Sequence, residues 1–180
     1  GGTLVPPFAV ARVRDAAGRT IYERPAAVTT RVLDEANAWL LADILSDPNA
    51  RIPGFGEVTP LDLPFRAAAK TGTTTGFRDN WTAGFTADRA VGVWVGNTDG
   101  SPMTDVSGVD GAGPIWRDVM FATAERTPPR WLTQPPGLVR LTVCAPTGQL
   151  PGEHCPTPQA EWFRAGTEPR TAERYYVRAA

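Results

Sequence analysis

The chain holds a single lysine. Its 18 basic side chains are otherwise all arginine, and the exception stands in Lys70-Thr71-Gly72-Thr73-Thr74. A compact ammonium can donate to a buried hydroxyl and polarise it, and its pKa can move. A planar guanidinium fork that is always charged does neither as well. On a strand, Thr71 and Thr73 project from one face, so two hydroxyls could grip one carboxylate. Gly72 between them has no Cβ and lets a ligand or another element approach the backbone. An edge strand there could also pair its free N–H and C=O groups with an extended peptide. The chemistry on offer is half of a cradle for the anionic end of a peptide.

Other chemistries have little to work with. The one histidine, His154, lies in a Pro/Gly-rich segment, so Ser–His or Cys–His nucleophilic catalysis lacks a base. Cys144 and Cys155 cannot build a four-thiolate zinc site, and with His154 they offer three ligands, two of them adjacent in sequence. No cofactor is expected. Arg78 and Asp79 either shape a loop beside a groove or form an ordinary surface pair. Trp81 and Trp94 read as core or groove-wall residues rather than ligand stackers. His154 reads as a surface residue.

The elements that must position Lys70 follow from the pattern. Residues 66–73, 80–87 and 90–97 form three strands in quick succession. In the second, Trp81, Ala83 and Phe85 alternate with Thr82, Gly84 and Thr86; in the third, Val91, Val93 and Val95 share a face. The Ala87-Asp88-Arg89 turn suits only an antiparallel pair. A Gly-rich loop at 108–113 leads to a helix from Pro114 to Glu125, with Ile115, Trp116, Val119, Met120 and Ala122 to Ala124 as its apolar face. Upstream, residues 8–14 and 21–23 predict a hairpin around Asp15–Arg19. A helix then starts at the cap Asp34, with Ala36, Trp39, Leu40, Asp43, Ile44 and Leu45 on its face, and stops at Asp47-Pro48. Residues 48–64 read as an irregular loop. The fold class expected is α+β, an antiparallel sheet with helices on its faces.

The 180 residues carry a formal net charge of −1 and are 42% hydrophobic and 21% charged. That composition is globular and argues against a basic nucleic-acid footprint or a polybasic membrane surface. Gly and Pro, 18 each, call for many turns. No stretch approaches the roughly 20 apolar residues of a membrane span. The opening Gly-Gly-Thr-Leu-Val-Pro-Pro has neither a basic n-region nor an apolar h-region and reads as the start of a piece of something longer. Residues 127–137 carry four prolines and read as a semi-rigid linker. Residues 138–180, turn-rich beyond a strand at 138–143, read as the start of a further β-rich module or a tail.

In this setting Lys70-Thr-Gly-Thr-Thr, Arg78-Asp-Asn-Trp81, Gly84-Phe-Thr86, Gly92-Val-Trp-Val-Gly96 and Gly111-Ala-Gly-Pro-Ile-Trp116 resemble the transpeptidase domain of the class A, bifunctional penicillin-binding proteins. Lys-Thr-Gly is itself a recognised signature of penicillin-binding proteins and class A β-lactamases. The resemblance covers residues 1–126. The tail, with Val143-Cys-Ala-Pro-Thr-Gly, Cys155-Pro and Trp162 to Pro169, resembles the segment that follows this domain in the penicillin-binding protein 1C subfamily.

The resemblance implies a peptidoglycan D,D-transpeptidase, in which a serine attacks the D-Ala-D-Ala end of a stem peptide, or a β-lactam, and a neighbouring amine resolves the acyl-enzyme. It makes Lys70 and Thr73 catalytic positions and Thr71, Gly72, Thr73 and Thr74 substrate-binding ones. Lys70 supports the protonation network. The Thr73 N–H serves as one oxyanion donor, a contact worth about 3–4 kcal/mol where it has been removed elsewhere. It also implies an upstream glycosyltransferase using a lipid-linked precursor, an N-terminal membrane anchor, and a place on the periplasmic side of the bacterial inner membrane. In such an oxidising compartment Cys144 and Cys155 either pair as a disulfide or stay buried thiols.

Departures from the family pattern limit what this chain does alone. Neither S-x-x-K nor S-x-N occurs: Ser46, Ser101 and Ser107 have no lysine near them in sequence, and Ala67 stands three residues before Lys70. Both motifs are expected upstream of Gly1, so these residues should supply one wall of a groove without the nucleophile. A D,D-carboxypeptidase or β-lactamase, and a non-catalytic peptide-binding module of the cell wall, are the competing readings.

Overall fold

The structure is a computed structural model that describes residues 1–177; residues 178–180 of the expected C-terminal segment lie outside the described residues. Among the described residues, nine strands and three helices follow in the order β1 (Thr3–Leu4), β2 (Arg12–Arg14), β3 (Thr20–Glu23), β4 (Thr30–Arg31), α1 (Glu35–Ser46), α2 (Pro48–Phe55), β5 (Ala68–Thr73), β6 (Asp79–Phe85), β7 (Ala90–Gly96), α3 (Ala112–Arg126), β8 (Leu138–Cys144) and β9 (Pro158–Arg164). All pair antiparallel, so the class is α+β, as expected. The chain divides into two units: residues 39–134, and residues 1–38 with 135–180.

The first unit is built on the sheet β5-β6-β7, with α3 packed on β6 and β7. Register decides which side chains meet the helix. Ala69 stands opposite Gly84, Thr71 opposite Thr82 and Thr73 opposite Asn80, and the same three β6 residues face Val91, Val93 and Val95. Trp116 and Met120 of α3 join Ala67, Ala69 and Leu61 in a buried cluster, flanked by Val91, Val93 and Phe65. Gly84 makes the seat for the indole, because a Cβ there would stand 2.4 Å from both Trp116 Cζ2 and the Ala68 carbonyl.

The set buried on β6 is the polar one. Asn80, Thr82, Gly84 and Thr86 are buried while Trp81 and Ala83 are exposed. Trp81 and Trp94 are 50% and 44% exposed, so neither is a core residue. Hydrogen bonds make the inversion affordable: Thr82 Oγ1 donates to Gly108 O (2.9 Å) and Asn80 Nδ2 to Val106 O (2.7 Å).

The helices also differ from expectation in detail. α3 begins at Ala112 and buries the line Ala112, Trp116, Met120, leaving Ile115 and Val119 exposed. α1 buries Ala36, Trp39, Ala42 and Ser46 rather than Ile44, which is 60% exposed. Its Ser46 hydroxyl donates to Asp43 O and accepts from Arg66 Nε (2.9 Å), so a polar residue ends the buried stripe at no cost. Arg66 also pairs with Asp43 and lies over the rings of Trp39 and Trp131. Residues 48–55, expected to be irregular, form α2. Asp47 Oδ1 caps Asn49 N–H (2.8 Å), and Pro48 sits in the first turn, where no N–H is needed.

The β6–β7 turn carries a testable charge. The Thr86 hydroxyl (2.6 Å) first, and then the Arg89 guanidinium (3.3 Å), hold the Asp88 carboxyl down to about 2. A folded value below the ordinary 3.8 means the carboxylate supports the turn fully above about pH 4, and that support is lost as pH falls through about 2. NMR titration of the Asp88 carboxyl should inflect near pH 2. An inflection near pH 4 would mean that the Thr86–Asp88–Arg89 clasp does not form.

In the second unit, β2 and β3 form the expected hairpin, closed by Gly18 N–H to Asp15 O (2.9 Å) with Gly18 at φ +81°. β1 pairs with β4, and β8 with β9. A disulfide joins Cys144, at the end of β8, to Cys155, with Cα atoms 5.8 Å apart. The loop it closes has a sequence separation of 11, which by loop-closure entropy is worth about 2–3 kcal/mol. Dithiothreitol should therefore lower the thermal midpoint of this unit, and the Cys144→Ala/Cys155→Ala double variant should melt at that lower midpoint whether or not reductant is present.

Candidate active-site strand

β5 is an edge strand: among the described residues its only ladder partner is β6. Which backbone groups it offers can be worked out from its end. Thr74 N–H donates to Asp79 O (3.0 Å), so the backbone of Thr74 points at β6. Backbone direction alternates along an antiparallel strand. The N–H and C=O groups of Thr73, Thr71 and Ala69 therefore point outward, away from β6. Lys70 agrees with this: its Nζ donates to Thr71 O at 2.6 Å.

The expected residues gather around that edge in different ways. Lys70 and Gly72 share the sheet face opposite α3, with Lys70 exposed and Gly72 opposite Trp81. A Cβ on Gly72 would meet only Trp81 Cβ, at 3.8 Å, so this face is open. Thr71 and Thr73 lie on the other face, as strand alternation requires. The Thr73 Oγ1 accepts Gly108 N–H at 2.8 Å, which leaves its own proton free to donate to a ligand. Thr74 stands apart. Its hydroxyl accepts Asp79 N–H (2.8 Å) and bonds Asp79 Oδ2 (3.2 Å), so it closes the β5–β6 turn.

Two supporting groups escape a reading by motif. Asp79 does not pair with Arg78. Its other oxygen accepts Trp94 Nε1–H at 2.9 Å, whereas Arg78 donates to Gly100 O at 2.8 Å. Asp79 thereby ties the turn after Thr73 to β7. The second group is the loop at 106–111, laid against the α3 side of β5 and β6. Gly108 is required there, since a Cβ would come within 2.7 Å of Gly72 O and 2.9 Å of Trp81 O. The glycine richness of 108–113 was the only sequence signal for it.

Two of the three serines have local partners: Ser46 donates to Asp43 O and accepts from Arg66, and Ser107 donates to Asp110. Among the described residues no group of three His, Cys, Asp or Glu could hold a metal ion. The free edge of β5 thus offers outward N–H and C=O groups on which an extended peptide could pair, with the Lys70 ammonium on one face of the strand and the Thr73 hydroxyl on the other.

The family described as "Penicillin-binding protein 1A, C-terminal domain" matches residues 134–178. Penicillin-binding protein 2D of Bacillus subtilis is 32% identical over 94% of this chain and 25% of its own length. The chain is thus similar to the C-terminal part of the class A penicillin-binding proteins. Penicillin-binding protein 1A of Clostridium tetani is 30% identical over 93% of this chain and 22% of its own length, and penicillin-binding protein 1C of Escherichia coli is 30% identical over 84% and 19%. These identities do not single out a subfamily. The chain spans about a quarter or less of the length of these relatives. The crystal structure of penicillin-binding protein 1A from Haemophilus influenzae shares the fold, with a TM-score of 0.75 over 96% of this chain and 31% of that one at 23% identity.

Proposed function

We propose that this stretch of a penicillin-binding protein forms one wall of a D,D-transpeptidase groove in a longer protein that cross-links peptidoglycan. Residues 1–126 belong to the transpeptidase domain, 127–137 link, and 138–180 begin a C-terminal module of the kind found in penicillin-binding protein 1C. The observation that carries the reading is the free β5 edge, with Thr71 and Thr73 N–H groups outward and Lys70 beside them.

A stem peptide ending in D-Ala-D-Ala, or a β-lactam, pairs with that edge. Thr71 and Thr73 hold its carboxylate, Gly72 gives clearance, and the Thr73 N–H donates to the oxyanion. Lys70 supplies the positive field and the proton relay for a serine held by another part of the protein. That longer protein also carries a glycosyltransferase using a lipid-linked precursor and a membrane anchor, and it works on the periplasmic side of the inner membrane. The Cys144–Cys155 disulfide supports an oxidising compartment. Among the described residues no helix is long and apolar enough to cross a membrane.

A fluorescent penicillin should label the longer protein covalently and leave the 180-residue chain unlabelled. No labelling of the longer protein would sink the transpeptidase reading in favour of a non-catalytic module. Hydrolysis of D-Ala-D-Ala far exceeding cross-linking would make it a carboxypeptidase instead.

A further inference from the structure

Residues 171–173 run beside Leu150 as a strip fixed by backbone bonds. Leu150 N–H donates to Thr171 O (3.0 Å) and Glu173 N–H to Leu150 O (2.8 Å), giving a parallel bridge between Leu150 and Ala172. Glu173 is only 3% exposed, and its Oε2 accepts the N–H groups of Tyr175 (2.9 Å) and Tyr176 (3.2 Å). A buried carboxylate thus sets the chain direction at Tyr175 without any ligand. Gly152 makes room for it, since a Cβ there would stand 2.6 Å from Glu173 O and Oε1.

This strip and Gln149 line an open cavity of about 460 Å³, with Thr171, Ala172, Arg174 and Tyr175 around it. The volume falls in the range of small-molecule sites, about 300–1,000 Å³. Tyr175 is 76% exposed, a bare aromatic face on a braced backbone. The residues lining it carry an amide (Gln149), a hydroxyl (Thr171), a guanidinium (Arg174) and that ring. A pyranose offers their complement: an apolar C–H face for the ring and hydroxyls for the amide and threonine. An acetamido group pairs with the Gln149 amide in both directions, and a carboxylate pairs with the Arg174 fork.

We propose that this cavity is a binding subsite for an N-acetylated glycan strand bearing carboxylates, gripped through Tyr175, Gln149 and Arg174. The choice of glycan rests on the peptidoglycan reading above, but the contact needs neither the serine nor β5. It would hold the polymer whether or not a stem peptide is being acylated.

The test titrates the 180-residue chain with triacetylchitotriose, and separately with soluble uncross-linked peptidoglycan strands, following amide NMR shifts or heat. Both ligands should bind saturably. Tyr175→Ala should weaken both about tenfold, the loss of one stacked ring, and Tyr175→Phe should keep most of the affinity. Arg174→Gln should weaken the peptidoglycan strand and leave chitotriose unchanged. Absence of saturable binding, unchanged binding by Tyr175→Ala, or equally tight binding of a free stem peptide would overturn the proposal. Because penicillin labelling does not involve this cavity, glycan binding by a longer protein that does not label would sink only the transpeptidase reading, and labelling without glycan binding only this one.

Discussion

Lys70→Arg in the longer protein is expected to cut the rate of acylation by labelled penicillin about a hundredfold or more. The cation count is unchanged, so any long-range attraction for an anionic ligand survives. What is lost is a compact donor able to sit at hydrogen-bond distance from a hydroxyl and give up or take back a proton. A guanidinium has neither the pKa nor the shape for that. The scale follows from the loss of a single well-placed donor in acyl transfer, about 10²–10³ in rate. Lys70 is exposed and bonds only Thr71 O among the described residues, so the melting temperature should stay the same. Labelling kinetics by in-gel fluorescence, alongside a thermal melt, read the two separately. Acylation at the parental rate would mean that the solitary lysine has been overvalued.

Trp116→Ala should cost about 3–5 kcal/mol, the largest stability loss of any single truncation in the unit of residues 39–134. The indole is fully buried against Ala67, Ala69, Leu61 and Met120. Its Nε1 has no hydrogen-bond partner among the described residues, so the cost is packing, and Trp116→Phe should recover much of it. Gly84→Ala should lose about 1–3 kcal/mol by overpacking, because its Cβ would strike the ring and the Ala68 carbonyl at 2.4 Å. Removing the ring relieves half of that clash. The losses in the double variant should therefore sum to less than the two singles. Urea unfolding checks all four variants, and strict additivity of Trp116→Ala and Gly84→Ala would show that ring and glycine do not meet.

Most of the local architecture was legible in order along the chain. The three strands expected over 66–73, 80–87 and 90–97, the last two from their alternation, lie within two residues of β5, β6 and β7, and the hairpin of β2 and β3 follows from Gly18. Pro48 and Pro53 hide α2 from a reading by sequence, because proline breaks a helix anywhere past its first turn. Pro48 instead sits in a capped first turn, and α2 continues through Pro53 before Gly56 ends it. The buried faces of α1 and α3 differ from the expected ones at Ile44, Ile115 and Val119, since apolar character alone does not tell which side of a helix the fold will cover.

The candidate site divides along the same line. Composition and spacing by themselves singled out Lys70, put Thr71 and Thr73 on one face, and marked Gly72 as a place of close approach, because side-chain type and the two-residue period of a strand are local properties. Tertiary structure alone decided that β5 is an edge, that Thr73 is braced by Gly108 and Thr74 spent on Asp79, and that the polar face of β6 is the buried one. The bracing of Thr73 and the burial of Thr82 depend on Gly108, 35 and 26 residues away. The edge depends on the absence of a neighbouring strand among the described residues, and even the local Thr74–Asp79 bond depends on how the turn closes. None of these is encoded in the pattern of a single segment.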